Sequence, residues 1–167
     1  MKHFTLWKSF LLLCALVVGS NVWGADETIT FSEQGYTNQQ AITSVSGSNF
    51  TITFDKGTNS NAPKYYTNGT AIRAYGGNTF TVSSTTKTIA KIEITFGSSD
   101  GSNAITTDVD TYENGTWTGS ATSIVFTIGG TSGNRRLSAI AITYASGSPS
   151  TPTCATPTFS PAEGVYT

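Results

Sequence analysis

Between Lys64 and Tyr75 the chain gathers the side chains best suited to hold a polyhydroxylated ligand: Lys64, Tyr65, Tyr66, Asn68, Arg73 and Tyr75. Sugars are held by flat aromatic faces, which cover their C–H patches, and by planar hydrogen-bonding groups such as Arg, Asn and Asp. In an extended strand Arg73 and Tyr75 point away from Ile72 and Ala74, so one of the two sets faces solvent or a groove. Trp117, in a Gly/Thr-rich stretch, is a further candidate platform for stacking. The candidate ligand-binding residues are therefore Tyr65, Tyr66, Arg73, Tyr75 and Trp117. Each has a plainer alternative. Tyrosines line sheet edges with their hydroxyls wet, a lone tryptophan fills a core, and Arg73 could equally pair across strands with Glu93.

Other chemistry is thinly provided for. His3 is the only histidine, and Cys14 and Cys154 are the only cysteines. His3 and Cys14 fall in residues 1–24, which read as a secretory signal: Lys2 and Lys8 form a basic start, and Phe10 to Val18 an apolar run too short to span a bilayer. Val22-Trp23-Gly24 suits a cut before Ala25. Leu13 stands before Cys14 where a lipoprotein needs a small residue, so Cys14 is expected to leave with the signal. Without a histidine, the exported chain has no Ser-His-Asp or Cys-His arrangement and no histidine-based zinc site. Cys154 can pair beyond this chain or stay free. No phosphate-binding or dinucleotide fingerprint is present, because Gly76-Gly77 and Gly129-Gly130 lack a strand-to-helix setting.

The acidic residues Asp100, Asp108, Asp110 and Glu113 are the remaining candidates for catalysis. They lie in a polar, turn-rich stretch, where solvated charge is the expectation rather than a tuned general acid. Asp108-Val109-Asp110 opens like a calcium loop, but Tyr112 and Glu113 occupy the fifth and sixth positions, and no acid closes the loop at the twelfth. No cofactor is expected, with a structural calcium held in an irregular loop as the alternative. Loss of Lys2 and Lys8 leaves seven basic against ten acidic residues, a balance near −3 that disfavours a nucleic-acid partner. Nothing after the signal is apolar enough for a membrane span.

What must position these residues is a set of β-strands. From Asp26 to Tyr144 apolar residues recur with period two: Ile29/Phe31, Phe50/Ile52/Phe54, Phe80/Val82, Ile92/Ile94/Phe96, Ile124/Phe126/Ile128 and Ile140/Ile142/Tyr144. Each such strand buries one face, as in two packed antiparallel sheets. Turn signals at Ser46–Asn49, Asn68-Gly69, Gly76–Asn78, Gly97–Ser102, Asn114-Gly115 and Gly129–Asn134 separate them. The pattern predicts an all-β antiparallel sandwich over residues 25–145, jelly-roll-like in the manner of carbohydrate-binding modules, with eight or nine strands. A closed barrel stays open as an alternative.

Residues 146–156, rich in Ser, Thr, Pro and Gly, read as a linker. Pro157-Thr158-Phe159-Ser160-Pro161 followed by Gly164-Val165-Tyr166-Thr167 resembles the opening of the chitobiase/β-hexosaminidase C-terminal-type domain. That resemblance covers eleven residues and implies the truncated start of a second, immunoglobulin-like β module. The run from Thr58 to Arg73, with Trp117-Thr118-Gly119 and Ile140 to Tyr144, resembles a module that follows signal peptides in exported Bacteroidetes proteins. It implies no activity. The expectation is a non-catalytic N-terminal module of a secreted or surface-displayed multidomain protein, with a glycan and the downstream domains as partners. The alternative is a structural spacer for an enzyme or adhesin whose active domain lies beyond residue 167.

Overall fold

The computed structural model describes residues 25–146; the expected signal peptide, the linker past residue 146 and the tail at 157–167 lie outside the described residues. Twelve strands build the fold: β1 (Glu27–Thr30), β2 (Ser44–Ser46), β3 (Phe50–Asp55), β4 (Lys64–Tyr66), β5 (Ala71–Tyr75), β6 (Thr79–Ser84), β7 (Ile89–Phe96), β8 (Ile105–Thr107), β9 (Thr111–Glu113), β10 (Thr116–Ala121), β11 (Ser123–Ile128) and β12 (Asn134–Tyr144). A single 3₁₀ turn at Phe31–Glu33 follows β1. One sheet runs β4-β5-β12-β7-β10-β9, with β1 also on β12; the other runs β2-β3-β6-β11-β8. Every pairing is antiparallel. The chain stays within one sheet only at the β2–β3, β4–β5 and β9–β10 hairpins and crosses between sheets elsewhere. The result is the antiparallel sandwich that the alternation implies, and not a barrel.

The strand count exceeds the expected eight or nine. The extra strands are short: β2, β4, β8 and β9 have three residues each, too few for alternation to reveal. The longer ones carry the core as expected. Phe50, Ile52, Phe54, Phe80, Val82, Ile92, Ile94, Ile124, Phe126, Ile128, Ile140 and Ile142 are all buried. Phe54, Phe80 and Phe126 form a cross-strand row, with Phe80 and Phe126 stacked at 4.6 Å between ring centroids. Phe31 meets one end of the row edge-on and Tyr112, from the opposite sheet, meets the other. Such geometries suit the aromatic quadrupole and lock the two sheets together.

The eleven residues of β12 organise the larger sheet. From Leu137 to Tyr144 it pairs with β7; along its other side Asn134–Leu137 pairs with β5 and Ala139–Ile142 with β1. A register shift between Leu137 and Ala139 lets Leu137, Ile140 and Ile142 all face inward. Glu27 of β1 lies opposite Ile142, so the two ends of the module sit side by side. A clasp holds them. The Tyr144 backbone N–H donates to Asp26 at 2.7 Å, and Glu27 accepts from Ser48 N–H at 2.8 Å, from the Tyr144 hydroxyl at 3.2 Å and from the Asn49 amide. Burial pushes the Glu27 carboxyl up, but these donors outweigh it and hold the group below its ordinary range.

Candidate functional site

The β4–β5 hairpin and the start of β12 bring three of the five candidate residues together. On β5, Ile72 and Ala74 are buried, which turns Arg73 and Tyr75 outward. Tyr66 of β4 lies diagonally from Arg73, and the guanidinium sits 4.4 Å from the Tyr66 ring centroid. The Tyr66 and Tyr75 hydroxyls are 2.9 Å apart. Burial raises the Tyr75 hydroxyl above its ordinary value and Tyr66 adds to this, while Arg73 pulls the other way. The outer face therefore carries two half-buried phenols and a planar cation in one connected group.

The hairpin is not the tight two-residue type that Asn-Gly favours. Its loop is Thr67 to Thr70, with positive φ at Gly69 (97°) and Thr70 (45°). Asn68 is left free to offer its carbonyl, which accepts from Arg136 Nη1 at 3.1 Å. Asn114-Gly115, by contrast, forms the expected tight β9–β10 hairpin with positive φ at both residues.

Tyr65 and Trp117 take no part in the outer face. Tyr65 is 4% exposed and packs its ring 5.6 Å from that of Tyr36. Adjacent strand residues face opposite ways, so once Tyr66 is outside Tyr65 is inside. Trp117 is 0% exposed, and its indole N–H donates to the Val109 carbonyl at 2.9 Å. It is a core filler with its one polar atom satisfied. Nor does Arg73 pair with Glu93. Glu93 is on β7, two strands away across β12, and forms its ion pair with Lys91 at 2.9 Å. Arg73 instead faces Arg136 and Lys64.

Tyr75 also walls an open cleft of about 490 Å³ at the end of the sandwich, lined by Thr58, Asn59, Ser60, Asn61, Gly76 and Ser132 among others. Its lining is almost wholly hydroxyls, amides and backbone, with one aromatic wall. Two asparagines that the sequence patterns did not single out hold it open. Asn78 is 0% exposed; it accepts from Tyr75 N–H at 2.7 Å and donates to the carbonyls of Lys56 and Asn61, both at 2.9 Å. Asn103 donates to Gly129 O and Ser132 O at 2.6 and 2.7 Å. One fixes the Lys56–Asn61 wall to β5, and the other fixes the wall at 129–133. The floor is equally exacting, since a Cβ at Gly76 would stand 2.7 Å from Gly130 O and 2.8 Å from Ser132 O. The Gly76-Gly77-Asn78 turn signal marked the place but not the role of its asparagine.

Three of the four acidic candidates hold structure. Asp108 accepts from Val125 N–H at 2.8 Å, Asp110 from Ser120 N–H at 3.3 Å, and Asp100 pairs with Arg135 at 2.8 Å. Among the described residues no three His, Cys, Asp or Glu side chains converge as metal ligands, and no helix is long and apolar enough to cross a membrane. Comparison with known protein families, curated proteins and solved structures found no match. The site is therefore defined by its own geometry.

Proposed function

We propose that residues 25–146 form a non-catalytic carbohydrate-binding module of an exported protein, with its ligand in the polar cleft against Tyr75 and continuing over Tyr66 and Arg73. The observation that carries this is the cleft: a rigid polar trough with one aromatic wall is the surface a sugar chain needs, and a poor one for an apolar ligand. Asp100, Asp108 and Asp110 are each engaged with backbone amides or a guanidinium, which favours binding over catalysis by a tuned acid. The spacer reading fares less well. A spacer holds its two flanking segments apart, whereas Glu27 and Ile142 are paired neighbours, about 5 Å apart by strand spacing.

The test is a glycan array probed with the purified chain beside its Tyr75→Ala variant. Binding of a shallow site should fall at a Kd on the order of 10 μM to 1 mM. Tyr75→Ala should remove most of it, because the ring is the aromatic wall of the cleft. Silence across the array, with Tyr75→Ala lowering only the melting temperature, would leave the spacer reading in its place.

A further inference from the structure

Lys64, Arg73 and Arg136 stand opposite one another across three adjacent strands, β4, β5 and β12. Like charges so placed repel. The chain as a whole is acidic, with a net charge of −1, yet among the described residues no carboxylate forms an ion pair with this row. The two ion pairs among those residues are Lys91–Glu93 and Arg135–Asp100, both elsewhere. The Nε atoms of Arg73 and Arg136 are buried without a partner, and so is Oδ1 of neighbouring Asn134. A buried guanidinium N–H left without an acceptor is costly, and the arginine fork matches a carboxylate or sulfate oxygen pair. Of the four buried side-chain polar atoms that lack a partner among the described residues, three thus fall on one small face.

We infer that the saccharide is an acidic one, its carboxylate or sulfate received between Arg73 and Arg136 with Lys64 at the sheet edge. This rests on the carbohydrate-binding reading and narrows it. Tyr75 lies two residues along β5 from Arg73, about 7 Å. Neighbouring units of one polysaccharide can therefore occupy the cleft and the cationic row together.

The experiment is titration calorimetry on the whole purified chain. It compares polygalacturonate with its methyl ester, and a sulfated galactan with its desulfated form, each at low and high sodium chloride. At least one acidic polymer should bind about tenfold or more tightly than its neutralised counterpart, an advantage that salt erodes. Which pair shows it tells carboxylate from sulfate. Arg136→Gln, which keeps a planar donor but removes charge, should abolish that advantage and leave binding of the neutral form unchanged, while Arg73→Gln should abolish the same advantage and also weaken the neutral form, since the ligand passes over it. Equal affinity for acidic and neutral forms would overturn the inference while leaving the carbohydrate reading intact, and needs no variant to be seen. Binding to neither form would overturn the inference alone if the glycan array is positive, and the carbohydrate reading itself if the array is silent. Displacement of the polymer by sodium sulfate at similar concentration would also overturn the inference, since the anion would then bind without a sugar.

Discussion

Arg135 and Arg136 are neighbours in the sequence, and β12 sends them to opposite faces of the same sheet. Arg135 lies opposite buried Ala74 and turns inward. There its Nε and Nη2 reach Asp100 at 2.9 and 2.8 Å, its Nη1 donates to Asn103 O at 3.0 Å, and its plane covers Phe96 at 3.9 Å. Arg136 lies opposite Arg73 and turns outward to a second cation, with its Nε unpartnered. On the inner face every nitrogen of the Arg135 guanidinium has an acceptor; the outer face leaves charge in excess. A fold built only for stability has no reason to treat the two so differently.

That contrast can be sharpened by substitution, starting with the apolar part of the inner face. Phe126→Ala removes a ring stacked on Phe80 and should destabilise by about 3–5 kcal/mol, read from urea unfolding. Arg135→Gln should come next, at about 1–3 kcal/mol, because it leaves the half-buried Asp100 carboxylate with only the Arg136 backbone N–H. Arg136→Gln should change stability by no more than about 0.5 kcal/mol, since a repulsion with Arg73 is relieved as one bond to Asn68 O is weakened. The comparison breaks if Arg136→Gln proves as damaging as Arg135→Gln. The outer arginine would then be a structural residue, and its lack of a carboxylate would say nothing of a ligand.

The inner face was largely legible from alternation, because period two is visible wherever a strand is long enough to repeat it. Phe50–Phe54 and Ile124–Ile128 show this, and the core they form is the one their spacing implies. The same rule, applied strictly, separates Tyr65 from Tyr66, since adjacent residues cannot share a face. What could not be read was register. Arg136 meets Arg73 because β12 pairs with β5 in one alignment out of several, and nothing near Arg136 in the sequence announces it. Asn78 was hidden for a different reason. It stands in a Gly-Gly-Asn turn, where asparagine is ordinary, and its importance comes from the carbonyls of Lys56 and Asn61, which lie 22 and 17 residues earlier.

The pairing of β1 with the end of β12 also decides how the module would respond to tension. Force applied through residues 25 and 146 acts at one end of an antiparallel ladder, so it loads the hydrogen bonds singly. The clasp from Tyr144 N–H to Asp26, at 2.7 Å, and then the bond from Asp26 N–H to Ile142 O, at 2.8 Å, would part first, and the rungs through Thr30–Ala139 would open after them like a zip. Beyond that last rung lies Phe31, fully buried against the aromatic row, so unzipping of the four residues of β1 uncovers the core. A ladder pulled in shear would share the load among its rungs; this one cannot. Tension through these two residues would therefore open the module at β1 before it loads the other strands of the larger sheet.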